Sequence, residues 1–311
     1  MPPVRPAPSP ALLGMALGVA AYALFSFHDA AIKWVLTTTP TRIGLPVWEV
    51  LCIRSLFIVS AVTAIGRGRL LTRVVATPEK NRLLLRGVLL LAAWTSYYSA
   101  AASLPLAQLL TLYFAAPVIT VILARPLLGE AIPPARWLSV AVGFAGVVVA
   151  CDPGGVSFTW VSARVLMAAC FWGVAIILMR QVSRREGTLL QMFYANLLFL
   201  IATGIACAVS SAVPTWGQAG ALAIVCVLGA CGQWCLFEGV RRAAASIMAT
   251  VEYTALIWAF VLGWVVFGDV PRTPVWFGAA LILLAGGLLV ASERRAKIAA
   301  RNPAVAEPTT R

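Results

Sequence analysis

Residues 106–150 read LAQLLTLYFAAPVITVILARPLLGEAIPPARWLSVAVGFAGVVVA. Two apolar runs are joined by a short turn that carries Gly129-Glu130. Each run is long enough to cross a hydrocarbon layer of about 30 Å as a helix. The pattern returns 139 residues later, over 245–289. There Thr250 repeats Thr111, Ala255 repeats Ala116, Gly268-Asp269 repeats Gly129-Glu130, and Trp276 repeats Trp137. A hairpin repeated at that interval suggests two homologous halves, a common build for secondary transporters.

The rest of the chain agrees. Of its 311 residues 61% are hydrophobic and 11% charged, with a mean hydropathy of +0.92. A soluble domain carries about 25% charged residues, so the class is a polytopic helical membrane protein. The net charge of +13 would raise nucleic acid as a partner in a soluble chain. Here the positive residues gather in loops on one side, so no nucleic-acid partner is expected. Seven cysteines lie mostly within apolar runs with no metal-ligand spacing, and read as free thiols in buried settings.

Ten spans are expected, at 12–36, 46–65, 83–103, 106–125, 134–151, 160–180, 188–210, 218–239, 244–267 and 273–291. Residues 1–11 form a Pro-rich disordered tail, and the first run reads as an uncleaved helix rather than a signal peptide. The first five-helix repeat covers 12–151 and the second 160–291. A basic tail occupies 292–311.

With the N-terminus in the cytoplasm, one side collects Arg67, Arg69, Arg73, Lys80, Arg82, Arg125, Arg136, Arg180, Arg184, Arg185, Arg241, Arg242 and the basic tail. The other side holds only Arg42 and Arg272. The positive-inside bias therefore puts both termini in the cytoplasm. Five spans per half is an odd number, so the second half enters the membrane inverted, an arrangement suited to alternating access.

The stretches SLPLAQLLTLYFAAPV and LLGEAIP within 103–133, and AAASIMATVEYTALIWAFVLGWVVFGDVP at 243–271, resemble the EamA-type members of the drug/metabolite transporter superfamily. DAAIKWV at 29–35 and Arg54 share the resemblance, which covers 12–291. It implies an all-α fold of ten transmembrane helices in two inverted five-helix repeats. It also implies metabolite transport driven by ion gradients or exchange, and a bacterial inner membrane as the home. The fourth span has the family's Ala116-Pro117. The ninth has Ala255-Leu256 instead, so a weaker or displaced kink is expected there.

Ionisable groups inside spans are functional candidates by default. Asp29 and Lys33 lie four apart on the first helix, and Glu49 and Arg54 lie on the antiparallel second. Asp29 and Arg54 sit roughly 10–12 Å below the outer end, and Lys33 and Glu49 about 4–5 Å below it. Matching depths permit an Asp29–Arg54 pair and a Lys33–Glu49 pair, either as a structural clamp or as an outer gate or ion-coupling cluster. His28 titrates in the range suited to proton coupling, but also reads as a hydrogen-bonded packing residue. Glu252 falls near mid-membrane, about 12 Å from the inner end, and its repeat counterpart is Tyr113. A carboxylate there either stays protonated or faces an aqueous cavity. Glu252 and Tyr113 are the central substrate-contact candidates, and the alternative is a buried acid bonded to a neighbouring helix.

Trp94, Tyr97 and Tyr98 share a face of the third span and read as a pocket wall or as an interfacial belt. Trp172, Tyr194, Asn196, Gln108, Gln233 and Trp234 are weaker candidates. Gly14 and Gly18, Gly143 and Gly146, and Gly286-Gly287 have helix-packing spacing. Pro117 should kink the fourth span.

A Walker-type phosphate loop, HExxH and metal-ligand clusters are absent from the sequence. No enzymatic activity, metal or organic cofactor is expected. The reading is a secondary transporter of a small polar or amphipathic metabolite such as an amino acid, nucleoside or riboflavin-like vitamin. Its partners are that solute, the lipid bilayer, and a coupling proton or counter-solute, with a homodimer left open. An intramembrane enzyme and a non-transporting membrane scaffold are the alternatives.

Overall fold

The computed structural model describes residues 10–38, 47–101, 112–130, 132–151, 159–209, 216–268 and 273–301, and its long regular elements are all helices. They are α1 (Pro10–Thr38), α2 (Val47–Ala76), α3 (Lys80–Ala101), α4 (Ala116–Leu128), α5 (Pro134–Cys151), α6 (Trp160–Val182), α7 (Thr188–Val209), α8 (Trp216–Arg242), α9 (Ala245–Glu252), α10 (Thr254–Phe267) and α11 (Thr273–Arg301). Among the described residues, six stretches are long and apolar enough to cross a bilayer, in α1, α2, α6, α7, α8 and the α9–α10 pair. α4 and the 276–288 part of α11 are shorter apolar helices.

Several boundaries differ from expectation. α1 includes Pro10 and Ala11, inside the expected tail. α11 runs on to Arg301, so the basic tail begins as helix. Residues 68–76, expected in a loop, are helical, and Arg67 divides them from the span with φ 50° and ψ −161°. The ninth span is not one helix: it breaks at Tyr253.

That break exposes the repeat. Tyr253 corresponds to Phe114 at the 139-residue offset, and the fourth span turns at Phe114–Ala115. Ala115 N–H donates to Leu112 O at 3.2 Å, and Tyr253 N–H to Thr250 O at 3.3 Å. The two broken points meet, with the Phe114 and Tyr253 rings 5.9 Å apart between centroids. Pro117 removes the N–H that would bond the carbonyl of Tyr113, which accounts for the first break. The second has no proline and stands at the equivalent place, so the kink is not displaced. Both hairpin helices also end alike. Gly129 and Gly268 are left-handed, with φ 65° and 69°, and their N–H groups close the last turns onto Arg125 O and Trp264 O. Left-handed backbone is why both positions are glycine.

Packing obeys the same exchange. α1 packs on α8 and, reciprocally, α6 packs on α3; α4 meets α6 as α10 meets α1. α2 packs on its counterpart α7, and α5 on α11. The large interfaces therefore join the two halves. Glycines make the closest approaches. A Cβ on Gly14 would lie 2.7 Å from Ala243 Cβ and 2.8 Å from its backbone N, and one on Gly143 would lie 2.6 Å from the Tyr253 ring. Among the described residues, nothing lies within 4 Å of where a Cβ on Gly286 or Gly287 would sit. Gly14→Val should therefore cost about 1–3 kcal/mol and lower the melting temperature, because backbone must move. Gly286→Ala should leave it nearly unchanged.

The arginine-rich end is tied by polar contacts, two of which, Arg185–Glu79 and Thr77–Glu186, join the halves. Arg185 Nη1 donates to Glu79 Oε1 at 2.7 Å, Arg82 Nη1 to Glu79 Oε2 at 2.8 Å, and Thr77 Oγ1 to Glu186 Oε1 at 2.6 Å. Burial alone would raise the Glu79 pKa, but the hydrogen bonds and charges of Arg185 and Arg82 outweigh it and hold the carboxyl below its ordinary 4.5. The folded protein thus binds this proton more weakly than the unfolded chain. The contribution is full above about pH 4.5 and fades as pH falls through the lowered folded value. Melting curves of wild type and Glu79→Gln should differ at neutral pH and converge in acid. A constant gap would contradict this account.

Candidate functional site

Glu252 is the last residue of α9, placed at the break, and is 4% exposed. The Tyr22 hydroxyl from α1 and the Trp172 indole from α6 face its carboxylate. The indole Nε1 stops short of a well-formed hydrogen bond. Tyr22 lies within electrostatic range of both Glu252 and Tyr113, so the two repeat counterparts come to one level around it. From Tyr113 a row of rings runs both ways: Tyr97 at 5.0 Å on one side and Phe114 at 6.2 Å on the other. Tyr22, absent from the sequence candidates, thus stands by both residues. Its signal was a lone tyrosine in an apolar run, which packing explains equally well.

A cleft opens beside this acid. Its walls include Arg54 of α2, Trp94 of α3, Trp172 of α6, Asn196 of α7, and Gly229 and Gln233 of α8. Asn196 Nδ2 donates to Gln233 Oε1 at 2.7 Å and to Met192 O at 2.8 Å. The rings of Phe25, Phe199 and Phe237 complete the lining. The cavity volume is about 50 Å³, enough for a few waters and below that of a metabolite pocket. Trp94 lines this cleft.

The described part of the polar cluster of α1 and α2 joins His28 to Asp29. His28 is 2% exposed, and its Nδ1 donates to Asp29 Oδ1 at 2.9 Å, while the Asp29 side chain is 63% exposed. Asp29 also lies within electrostatic range of Tyr97. Arg54 is buried, and its Cδ and the His28 ring both lie against Gly229, 3.0 and 3.2 Å from where a Cβ would sit. Glu49 is buried near Cys207. The side chains of Lys33 and Tyr98, and all of Gln108, Thr111 and Asp269, lie outside the described residues. Of the other candidates, Tyr194 donates to Val74 O at 2.6 Å, away from the cleft, and Trp234 is exposed. Cys170 and Cys231 are exposed rather than buried.

Reading the sequence also passes over Arg86. It is fully buried in α3, donates to Gln191 Oε1 at 2.8 Å and Gln191 O at 3.0 Å, and lies 4.5 Å above the Phe237 ring. An arginine inside an apolar run was the available signal.

Residues 11–151 and 159–291 each match the EamA-like transporter family. The chain belongs to that family. This EamA-family protein is 28% identical over 215 residues to the riboflavin transporter of Rhizobium johnstonii, covering 69% of its own length and 71% of the relative. It is 26% identical over 216 residues to the S-adenosylmethionine uptake transporter of Rickettsia bellii, covering 68% and 72%. It is 28% identical over 282 residues to the pseudopaline exporter CntI of Pseudomonas aeruginosa, covering 88% and 94%. A solved crystal structure superimposes with a TM-score of 0.73 at 18% identity, over 92% of this chain and 98% of the other. This likeness bears on the fold. The EamA-family protein is accordingly a multi-pass membrane transporter and not an enzyme.

Proposed function

We propose that this EamA-family protein moves a small polar or amphipathic metabolite across a bacterial inner membrane by alternating access. The carrying observation is Glu252. It is a buried carboxylate at a helix break, held where both halves meet, beside a cleft too small for solute in this conformation. Ending α9 at this point leaves backbone groups of the break available to a ligand, as in the discontinuous helices of other carriers. Glu252 and Tyr113, with Tyr22 between them, are the central contacts. Trp94 and Tyr97 stand beside them, and the sequence adds Tyr98. His28, Asp29, Glu49 and Arg54, with Lys33, form the gating or ion-coupling cluster at the opposite end from the arginine-rich loops. Those loops face the cytoplasm by the positive-inside bias, with both termini.

The relatives named for riboflavin, S-adenosylmethionine and pseudopaline support an organic solute, which the protein carries without ATP, driven by protons or by counter-solute. The test is counterflow into proteoliposomes preloaded with members of a panel of riboflavin, S-adenosylmethionine, amino acids and nucleosides, with thermal stability measured alongside. A solute at 100 times its dissociation constant should add about 2.7 kcal/mol of stability and should exchange across the bilayer. Stabilisation with product formed in detergent would instead indicate an intramembrane enzyme. A panel that neither binds nor moves would remove support for this range of solutes.

A further inference from the structure

Two cysteines from different halves meet at the end away from the arginine-rich loops. Cys52 lies on α2 and Cys207 on its counterpart α7, which packs along it. The two thiols hydrogen-bond each other. Cys207 Sγ also donates to Trp48 O at 3.9 Å, and Trp48 stands one turn before Cys52 on the same face of α2. Two contacts thus seat Cys207 on the first turns of α2. Both thiols are half-buried rather than enclosed.

Their level is set by the helix ends. Cys52 lies about 7–8 Å along α2 from its first residue, and Cys207 about 3 Å short of the last residue of α7. The opposite ends of the same two helices meet through Thr77 and Glu186, on the arginine-rich side. Trp48, Trp160 and Trp216 stand at the starts of α2, α6 and α8 and are all exposed, the placement of indoles at a membrane–water interface. The pair therefore lies just below a water boundary. By the positive-inside bias that boundary is the extracytoplasmic one, where disulfides form and persist.

We propose that Cys52 and Cys207 are an oxidative modification site, converted by a disulfide-bearing oxidant of the extracytoplasmic compartment into one reversible disulfide that ties α2 to α7. The assignment rests on the orientation proposed above. One thiolate of the pair attacks the oxidant's disulfide, giving a mixed disulfide and releasing a thiolate. The other attacks the protein sulfur of that mixed disulfide and expels the second thiolate. The Cys52–Cys207 bond forms, the oxidant is reduced to two thiols, and these take up the two protons that the cysteines lost. The new bond joins the two halves and closes a long loop, which stabilises the fold chiefly by restricting the unfolded chain.

The experiment exposes purified full-length protein to oxidised glutathione, blocks free thiols with N-ethylmaleimide, and maps peptides without reduction. A peptide pair joining Cys52 to Cys207 should appear, two hydrogens lighter than its reduced parts. Melting temperature should rise by about 5 °C on oxidation and fall back with dithiothreitol, and Cys52→Ser and Cys207→Ser should each abolish the shift. If either variant does not fold, the peptide map of the wild type decides alone. Recovery of both cysteines as maleimide adducts, or a glutathione adduct on one that the other does not displace, overturns the assignment. A membrane-impermeant maleimide should label reduced Cys207 in right-side-out vesicles. Labelling only in inverted vesicles puts the pair in a reducing compartment and also overturns it. Counterflow separates this result from the carrier reading. A linked peptide without movement of any solute leaves the disulfide site and removes the carrier. Solute exchange by protein whose two thiols stay free under oxidant leaves the carrier and removes the site.

Discussion

Glu252→Gln should reduce solute exchange by about 100-fold, equivalent to about 2.7 kcal/mol in the barrier, while the protein still folds. The substitution keeps the size of the side chain and its ability to bond the Tyr22 hydroxyl. It removes the capacity to hold a charge or exchange a proton. Because an ionised carboxylate buried among Tyr22, Trp172 and the apolar core is costly, the neutral amide should leave the melting temperature of the solute-free protein unchanged or raised. Loss of exchange with retained stability is therefore the signature of a working acid. A structural acid would give the reverse, with stability falling and the exchange of the surviving protein intact. Counterflow in proteoliposomes at matched protein content reads one quantity, and melting in detergent reads the other. Exchange within a few-fold of wild type would move the working site away from Glu252.

The halves were legible because a repeat preserves what the backbone cannot do otherwise. Gly129 and Gly268 stand at the same offset because both end a helix in the left-handed region, and that requirement shows as a residue type. The breaks at Phe114 and Tyr253 were half legible. Pro117 announces one, whereas the other is set by packing: Tyr253 is wedged against Phe114, Leu256 and Ile282, and no residue type encodes that. Glu252 and Tyr113 could be placed at one depth by counting rise per residue. Counting could not supply azimuth, and so it missed Tyr22 between them. The same gap applies to the polar cluster. Counting set the depth of His28 and Asp29, but not that rotation about α1 turns His28 inward against Gly229 and leaves Asp29 largely exposed. The cleft was not visible at all, since its walls come from six helices with no common spacing in the chain.

Glu130→Ala should destabilise the protein by about 2–3 kcal/mol, the range for losing charged hydrogen bonds and a helix cap. Ala244, at the N-cap of α9, has extended backbone with φ −63° and ψ 149° and provides no side-chain bond. The missing cap comes from the other half. Glu130 accepts from Ala245 N–H at 3.0 Å, from Ser246 N–H at 3.4 Å and from Ser246 Oγ at 3.1 Å. Its charge also suits the positive end of the helix, and Arg180 stands 3.9 Å away. Arg136 Nη1 adds a 2.8 Å bond to the same serine hydroxyl. Truncation leaves two amides of α9 without acceptors at the junction of the repeats. Glu130→Gln, which keeps an acceptor but not the charge, should fall between alanine and wild type. The capping account makes a sharper demand. Ala244→Asp, added to Glu130→Ala, supplies a local N-cap oxygen and should restore about 1 kcal/mol, read as a partial recovery of melting temperature. Ala244→Asp alone should give much less, because wild-type α9 is already capped. Equal effects of Ala244→Asp in both backgrounds would show that Glu130 stabilises through Arg180 and not through the helix end. In that case Arg180→Gln, rather than any change at position 244, should reproduce the loss seen with Glu130→Ala.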